Sequence, residues 1–466
     1  MTSPADRDPA FRDVFAHGEF RALWLSYVLS AAGDRLALVA LTLLVYDRSR
    51  SPLLAAVTFA AGFVPYLFGS MLLSGLADRL PRRAVMVACD LARCALVGVM
   101  LWPGAPLGAL IALLYAVTLL QPPFDAARSA IVRDMMDGGL FPLAIAVIQS
   151  TARVMVVAGS AAGGLTVALL GVRPALGADA ATFIASALLI QAGVRARPAA
   201  AAADSANPLR ALAGGARLVF GDPALRTLLC LGWLAAFYEV PEGIAVPYAG
   251  GLGGGAVAAG LLIAASQLGA AVTAPLFTKR ARPRTRLRLM GPMAVLTCAI
   301  LLVTVLRPGL VVSMAVFALS NMFAAYQVAA STEFVERLPN EKRAQAFGLA
   351  NAGLIVGQGA AFAVAGAATA LVPPPVVVAV SGGLGAVAAC GLALSWRRMA
   401  PMAGRHSARH LGRAAAPATA AAGTPAAAVP GPSRPLPARV PASPQAHVRR
   451  AGERRAGARM QVRASR

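Results

Sequence analysis

The strongest constraint on this chain is a series of apolar blocks, each about 20 residues long, that recur through most of the sequence. At a rise of 1.5 Å per residue, a helix of that length crosses the hydrocarbon core of a bilayer. Only 14% of the 466 residues are charged, whereas soluble proteins carry about 25%. The sequence therefore predicts an all-α integral membrane protein.

Twelve blocks can be delimited, and they are called spans one to twelve below. The first six are residues 21–46, 52–77, 84–102, 106–124, 142–170 and 175–194. The second six are residues 225–248, 255–277, 289–306, 310–332, 344–372 and 375–396. Span seven is the least regular, because Glu239, Pro241 and Glu242 interrupt its apolar run.

The blocks divide the chain into two halves of six spans, residues 21–194 and 225–396. The linker between them, residues 195–224, contains Asn207-Pro208 followed by an apolar stripe with helical spacing, which predicts a short amphipathic helix on the inner membrane surface. Two halves of six spans joined by a surface helix are typical of transporters with repeated halves.

The loop charges predict the orientation in the membrane. Cytoplasmic loops collect Lys and Arg, and one set of loops holds nearly all of them. The opposite loops hold only Arg48, Arg50, Arg173 and Arg307. This alternation supports the count of twelve and predicts a multi-pass protein of the cell membrane. Residues 1–20 and the tail, residues 397–466, then both lie in the cytoplasm.

The net charge of +23 arises largely from the inner loops and the tail. The tail is rich in Ala, Pro and Arg and has almost no large apolar residues. We therefore predict that it is disordered and associates with anionic lipid. A specific partner of the tail remains an alternative. Arg without interleaved aromatic residues provides no stacking platform for bases, so nucleic acid is not an expected partner. The chain is expected to be a monomer.

The most specific motif follows span two, where residues 74–83 read Ser-Gly-Leu-Ala-Asp-Arg-Leu-Pro-Arg-Arg. It resembles the major facilitator superfamily signature Gly-x-Leu-Ala-Asp-Arg-x-Gly-Arg-Arg, from which Ser74 and Pro81 depart. The resemblance implies the major facilitator fold and a gate on the cytoplasmic side. The gate residues that it implies are Asp78, Arg79, Arg82 and Arg83. An ordinary basic inner loop is the alternative interpretation.

Span five carries a glycine cluster that resembles the antiporter motif Gly-x-x-x-Gly-Pro-x-x-Gly-Gly of the same superfamily. Gly159, Gly163 and Gly164 match it, whereas Met155 and Ser160 depart. Glycines four residues apart let two helices approach closely, which suits a pivot between the halves. Ordinary packing through small residues is the alternative.

Four further segments resemble the exporter branch called transmembrane secretion effectors, which includes siderophore and drug exporters. They are residues 33–34, 126–132, 179–183 and 339–343. This resemblance implies the export of small amphiphilic molecules such as drugs, siderophores or secondary metabolites. The direction of transport rests on the resemblance alone.

Ionisable residues inside the spans are costly and usually functional. The candidates for proton coupling or substrate binding are Asp34, Arg35, Arg153, Asp179, Glu239 and Glu242. Asp34 is the first candidate, with a structural ion pair as its alternative. A buried Arg153 needs a carboxylate, and Asp34 is its expected partner. Asp179 is either such a site or a helix cap.

Asp90 and Arg93 lie three residues apart in span three, so their side chains can meet. We interpret them as a structural pair linked to the gate. Drug–proton antiporters of this superfamily often carry a buried arginine in span four, but here span four contains no arginine before Arg128. Proton coupling would therefore need another arrangement.

The sequence contains no phosphate-binding loop, and its only lysines are Lys279 and Lys342, which excludes an ATP-driven motor on this chain. No cofactor or metal site is predicted, and no enzyme motif is present. The first hypothesis is secondary active transport by proton antiport through alternating access. The alternatives are a transporter of the same fold for lysolipid or another dedicated cargo, and a non-transporting scaffold that uses the basic tail.

Overall fold

A computed structural model describes residues 11–73, 80–136, 140–197, 208–339 and 342–414. These residues form helices joined by turns, and no strand occurs among them. The chain divides into two units, Met1–His406 and Ser407–Arg466. Of the second unit the structure describes residues 407–414, which are helical. The description below concerns the first unit.

Ten helical segments of the described chain are long and apolar enough to cross a membrane. They correspond to spans one, two, four to six and eight to twelve. Their bounds are Gly18–Ser49, Pro52–Leu72, Leu107–Met135, Leu140–Leu170, Val172–Gly193, Gly255–Arg280, Pro283–Leu306, Leu310–Arg337, Gln345–Ala368 and Pro374–Met399.

The remaining two spans are present but less apolar or less regular. Span three is the helix Arg82–Met100, which contains Asp90 and Arg93 in its interior. Span seven is divided into four short helices, Pro223–Trp233, Ala235–Tyr238, Val240–Gly243 and Ala245–Gly251. With these two, the predicted fold of about twelve membrane helices in two halves of six is confirmed.

Backbone groups released by the interruption of span seven are satisfied by side chains from span ten. The Tyr326 hydroxyl donates to the carbonyl oxygen of Leu231 at 2.8 Å, and the Gln327 amide donates to that of Gly232 at 3.2 Å. Unsatisfied backbone groups are costly inside a bilayer, so an interrupted helix there needs such partners. In the same span, the carbonyl oxygen of Phe237 has no helical partner, because Pro241 four residues later lacks an N–H, and it accepts a hydrogen bond from the Ser381 hydroxyl of span twelve at 2.8 Å.

Several helices begin where the sequence supplies an N-cap and a proline. Ser51 accepts a hydrogen bond from the Leu54 backbone N–H at 3.3 Å, directly before Pro52. Asp222 accepts from the Ala224 N–H at 2.7 Å, directly before Pro223. A proline at the first helical position loses no hydrogen bond, because that N–H has no partner in the helix.

Some observed boundaries differ from the predicted ones. Span four continues past residue 124 to Met135, so Arg128 lies inside the helix rather than in a loop. The last helix, Pro374–Ala414, continues past Trp396, so residues 397–414 are helical. The rest of the tail lies outside the described residues. A short helix, Phe11–Ala16, precedes span one.

The helix predicted in the linker is present as Pro208–Gly221. It packs against span eleven, where a Cβ on Gly215 would lie 2.5 Å from the carbonyl oxygen of Gln345. Val219 is fully buried in the hydrophobic core, although the side chains of Phe220 and Arg217 on the same helix are exposed. The linker helix therefore contacts the second half of the protein directly.

The two halves touch through small residues of spans two, five, eight and eleven. A Cβ on Gly260 of span eight would lie 2.6 Å from the carbonyl oxygen of Ser160 in span five. On the other side, a Cβ on Gly366 of span eleven would lie 2.5 Å from Ala56 Cβ of span two. Such close backbone approach requires small residues on both partners.

We predict that Gly260→Ala destabilises the protein, because its Cβ would overlap the backbone of span five rather than a flexible side chain. The expected cost is about 1–3 kcal/mol, typical of overpacking. It should appear as a lower midpoint of thermal unfolding in detergent. Gly177→Ala is the matched control, since a Cβ there meets no atom within 4 Å. Equal midpoints for the two variants would contradict the prediction.

Candidate functional site

The polar interior of the first half is organised around Arg93 of span three, whose side chain is 2% exposed. Its Nη2 lies 2.5 Å from Oδ1 of Asp34 in span one. Its Nη1 lies 4.0 Å from Oδ1 of Asp90 and donates to the Ser30 hydroxyl at 3.3 Å. One guanidinium therefore joins spans one and three inside the membrane region.

Span six completes the surroundings of Arg93. The Phe183 ring lies under the guanidinium, with 4.3 Å from Cζ to the ring centroid. Ser186 donates a hydrogen bond to Oδ2 of the fully buried Asp90 at 2.6 Å. Cation–π contacts strengthen when they are shielded from water. Three helices thus converge on the Asp34–Arg93–Asp90 cluster.

Asp179 of span six differs from the other two carboxylates because no described residue hydrogen-bonds to its side chain. The residue is 1% exposed, and neither Oδ1 nor Oδ2 has a hydrogen-bond partner. The nearby Thr182 hydroxyl donates instead to the backbone carbonyl of Asp179 at 2.7 Å. Asp179 lies well inside the helix Val172–Gly193, which excludes the alternative that it caps a helix end.

Close packing of span one brings Asp34 to Asp179. A Cβ on Gly33 would overlap Oδ1 of Asp179 and the Thr182 hydroxyl, so only glycine fits at position 33 without a shift. Asp34 and Arg93 both interact electrostatically with Asp179, although neither forms an ion pair with it. Asp34 and Asp179, two of the functional candidates predicted from the sequence, therefore lie close together.

A cavity of about 120 Å³ lies beside this cluster. It is partly open and lined by residues of all six spans of the first half, and much of its wall is apolar. The polar side chains that line it are Tyr27, Asp34, Arg35, Thr118, Gln121 and Asp179. The cavity therefore combines apolar walls with a few charged groups, as small-molecule sites commonly do.

The charges around the cavity do not balance within the described residues. Asp34, Asp90 and Asp179 are three carboxylates, whereas Arg35 and Arg93 are two guanidiniums. An uncompensated charge in a water-poor interior is costly. Glu242 of the other half also interacts with Arg35, so carboxylates outnumber guanidiniums here and the site favours additional positive charge, as protons or cations.

Arg35 connects the cavity with the other half. It interacts electrostatically with Glu242 of span seven as well as with Asp34. Glu242 is 5% exposed, and its Oε1 accepts a hydrogen bond from Gln267 of span eight at 2.5 Å. The two predicted candidates Arg35 and Glu242 thus interact electrostatically across the interface between the halves.

Glu239, the second glutamate of span seven, is held by the second half alone. Gln358 of span eleven donates a hydrogen bond to its Oε2. Glu239 and Glu242 also interact electrostatically with each other. The adjacent Tyr238 hydroxyl accepts a hydrogen bond from Gln327 at 2.6 Å. The interruption of span seven therefore places two carboxylates and three amide or hydroxyl groups in the interior of the second half.

Arg153 does not join this site, and the expectation that it pairs with Asp34 is wrong. Its side chain is exposed, and the partner of Asp34 is Arg93. The reason is the orientation of span five, which faces span one with Gly159 and Gly163 instead. Asp90 and Arg93 belong to the central cluster. Their predicted link to the gate stays a prediction, because Asp78 and Arg79 lie outside the described residues.

Asp125 and Arg128 of span four form a second buried pair that sequence reasoning missed. Nη2 of Arg128 lies 2.9 Å from Oδ1 of Asp125, and the Tyr66 hydroxyl donates to Oδ2 at 3.1 Å. The Arg128 guanidinium covers the Tyr27 ring at 4.1 Å. Placing Arg128 in a loop concealed the pair, although its spacing of three residues from Asp125 was a visible signal. Span four therefore does contain a buried arginine.

The described gate residues make contacts within the first half. Arg82 forms an ion pair with Asp134 at the end of span four. Arg83 donates to the carbonyl oxygen of Val194, just after span six, at 3.2 Å. Asp78 and Arg79 lie outside the described residues. The arginine pair thus links the ends of spans three, four and six.

The glycine cluster of span five faces two different partners. A Cβ on Gly159 would lie 2.8 Å from Arg35 Cβ, and one on Gly163 would lie 3.2 Å from Leu36 Cα. A Cβ on Gly164 would lie 2.5 Å from the carbonyl oxygen of Ala256 in span eight. Span five therefore contacts its own half through two of these glycines and the other half through the third.

Comparison with known proteins agrees with this architecture. A sequence profile of the Major Facilitator Superfamily matches residues 23–337. No curated protein is detectably similar in sequence. Among solved structures, a POT family transporter in complex with a thioalcohol-conjugated peptide is similar, with a TM-score of 0.63, 11% identity and coverage of 82% of this chain and 96% of the other.

Two further solved structures share the fold. The nucleoside transporter NupG has a TM-score of 0.60 and 15% identity, covering 81% of this chain and 99% of its own. A bacterial homologue of the iron transporter ferroportin, in an inward-facing state, has a TM-score of 0.57 and 13% identity, covering 80% and 98%. The profile match and the arrangement of twelve spans together show that this chain belongs to the major facilitator superfamily, and that it is a multi-pass membrane transporter rather than an enzyme.

Proposed function

We propose that this transporter exports small amphiphilic molecules across the cell membrane in exchange for protons. The observation that carries the proposal is the Asp34–Arg93–Asp90 cluster with the unpartnered Asp179 beside a cavity. Ionisable groups inside membrane spans commonly mark proton or substrate pathways. A secondary transporter needs such groups, because the gradient is its only source of energy.

The cluster is suited to taking up a proton, because Asp34, Asp90 and Asp179 compete for the single guanidinium of Arg93. Asp34 forms the short ion pair with Arg93, Asp90 lies at a longer distance, and Asp179 forms no ion pair. When Asp34 takes up a proton, its attraction to Arg93 falls and Arg93 becomes available to Asp179. Protonation would thus exchange the partners of Arg93, which are residues of spans one and six.

The contacts between the halves support alternating access. Phe59 and Phe63 of span two contact Phe362 of span eleven, with ring centroids 5.7 Å and 5.8 Å apart. Together with the Gly164–Gly260 and Gly366–Ala56 contacts, these rings join the halves in the region where span two begins. If that end of span two faces the outside, as the loop charges favour, the protein is closed on the outer side.

Amphiphilic cargo fits the mixture of groups that the two halves present. The cavity of the first half joins Tyr27 and apolar walls to Asp34 and Asp179. The second half adds the carboxylates of Glu239 and Glu242 in span seven. Aromatic and apolar surfaces with a few polar groups are suited to molecules that have both an apolar body and a charge.

Asp34→Asn is expected to abolish uncoupler-sensitive export, because the amide can neither release a proton nor pair with Arg93 as an ion. The measurement is retention of a panel of fluorescent amphiphilic dyes in expressing cells, with and without a proton uncoupler. Wild type should lower retention, and the variant should lose about tenfold or more of the export rate, which equals about 1.4 kcal/mol or more. The matched control is Asp47→Asn at the exposed end of span one.

A chain that ends at Arg398 separates the alternatives. The exporter proposal expects full activity without the tail, whereas a scaffold that works through the tail would lose its function. Equal retention of every dye with and without wild type would reject polyspecific export and favour a dedicated cargo such as lysolipid. Higher dye retention with wild type would indicate that the protein takes the dyes up rather than exporting them.

Arg93→Met is expected to destabilise the protein, because it leaves Asp34 and Asp90 without their cation. Removing one partner of a buried ion pair costs about 3–5 kcal/mol. The double variant Arg93→Met with Asp34→Asn should recover part of that loss, since one unpaired carboxylate is removed as well. Thermal unfolding in detergent measures both effects. A double variant less stable than Arg93→Met would contradict the pairing.

A further inference from the structure

The second half contains a partly open groove of about 430 Å³ that is lined by spans seven, eleven and twelve. Its volume is nearly three times the roughly 150 Å³ of an engineered protein cavity that takes up benzene. Val240 of span seven lines the groove and is 2% exposed, whereas Val364 of span eleven lines it and is 69% exposed. The groove therefore runs from the interior of the second half to its surface.

The groove exists because spans eleven and twelve both pack on span seven but are kept apart beside it. A Cβ on Gly357 of span eleven would lie 3.7 Å from Ala236 Cβ of span seven. A Cβ on Gly385 of span twelve would lie 2.8 Å from Phe237 Cβ of span seven. Between these contacts span eleven presents Ala360 and Ala361 to the groove, and an alanine side chain is too short to fill a space of this size.

The wall of the groove offers almost nothing to a polar ligand. Among the described residues that line it, Ser381 alone has a polar side chain. The Ser381 hydroxyl already donates a hydrogen bond to the carbonyl oxygen of Phe237 at 2.8 Å. A charged or polar group would lose its hydration here without gaining a partner, and apolar cavities do not hold water. The chemistry of the wall therefore selects a hydrocarbon.

The position of the groove shows where that hydrocarbon comes from. It opens between the helices Gln345–Ala368 and Pro374–Met399, which are long and apolar enough to cross the membrane, so bilayer lipid lies against it. The eleven residues from Gly357 to Ala368, both in its wall, extend about 16 Å along span eleven. That length is about half of the roughly 30 Å hydrocarbon core, which is the depth of one leaflet.

The rim of the groove favours a thin chain over a helix of a second copy of the protein. Helices in membranes pack closely where both surfaces are built from small residues. Here the exposed side chains of Val364, Val380 and Leu384 stand beside the opening. These branched side chains hold another helix away from the alanines behind them, whereas a single alkyl chain can pass between them.

We propose that this groove is a binding site for one acyl chain of a membrane phospholipid, from the leaflet that surrounds residues 369–373 between spans eleven and twelve. The chain fills the gap beside the interruption of span seven and so completes the packing there. Gln358, next to Gly357 in the wall, donates a hydrogen bond to Glu239, next to Val240 in the wall. The bound chain thus supports the two helices that hold this polar pair in the interior. The inference goes beyond the proposed function and does not depend on the cargo.

The test reconstitutes the full chain into phosphatidylcholine vesicles that contain a small fraction of phosphatidylcholine with a diazirine in the middle of one acyl chain. Illumination attaches the chain to the residues that it touches, and mass spectrometry of peptides gives the share of the total label on each segment. Residues 377–384 of span twelve line the groove in part. Residues 181–188 of span six, where Ile184 and Leu188 are exposed, provide an apolar segment of equal length for comparison.

In wild type, residues 377–384 should carry at least about three times the label of residues 181–188, a preference that a few additional van der Waals contacts can produce. Because the wall offers no partner for a headgroup, a phosphatidylglycerol with the same labelled chain should give the same distribution. The preference is for the chain, and it should therefore be independent of headgroup charge.

Variants in span eleven are read out on span twelve, whose sequence they leave unchanged. Ala361→Phe should lower the share of label on residues 377–384 at least about threefold, because its ring occupies the groove and removes the contacts of the chain. Ala360→Phe, at an exposed position of the wall, should act in the same direction and decides the test if Ala361→Phe does not fold. The matched control is Ala95→Phe at an exposed position of span three, which should leave the share unchanged. Elution of each variant as a single symmetrical peak establishes that it is folded.

Equal labelling of residues 377–384 and 181–188 in wild type would overturn the inference, and so would an unchanged share of label in the folded span-eleven variants. A strong preference for one headgroup would show that the chain is not what is recognised. Label excluded from residues 377–384, together with cross-links between two copies through span eleven, would assign the groove to self-association instead. None of these outcomes bears on dye export, so this inference and the proposed function can fail independently.

Discussion

The ion pair between Asp34 and Arg93 is the interaction on which the first half depends. Both side chains lie within membrane spans, where an isolated charge is costly and a paired one is tolerated. The pair fixes span one against span three, and span six then closes over it with Phe183 and Ser186. Without Asp34, the buried Arg93 would keep only Asp90, at 4.0 Å, as a paired counter-charge.

The same requirement explains why spans three and seven depart from the pattern of the other ten. Span three carries charges because Asp34 and Ser186 satisfy them. Span seven is interrupted because Tyr326 and Gln327 of span ten take up its released carbonyl groups. In both spans the bilayer permits an irregular sequence only where neighbouring helices supply the missing partners. Irregular spans therefore lie inside the bundle, where function needs polar groups.

The sequence predicted the fold well but the partners poorly. Apolar length and loop charge are local properties, so they gave twelve spans and two halves. Which side chains meet depends on helix rotation, which a span predicted to within a few residues does not determine. Arg153 was therefore assigned to Asp34, although that face of span five is occupied by Gly159 and Gly163. The Asp125–Arg128 pair was missed because span four was predicted to end at residue 124. The unpartnered state of Asp179 had no sequence signal, because it results from where Arg93 points.

Neighbouring residues of span one connect the charged cluster with the interface between the halves. Successive residues of a helix differ by about 100° in direction, so Asp34 reaches Arg93 of its own half while Arg35 interacts with Glu242 of the other. Any change of charge at Asp34 or Asp179 alters the potential at Arg35, and with it the attraction between the halves. Gly159 and Gly163 pack against this same segment of span one, so a rotation of span one is transmitted to span five. Span five in turn contacts span eight through Gly164. A single helix thus links the charged cluster to two of the contacts between the halves, that of Arg35 with Glu242 and that of span five with span eight. Such a link is the coupling that the proposed gradient-driven transport requires.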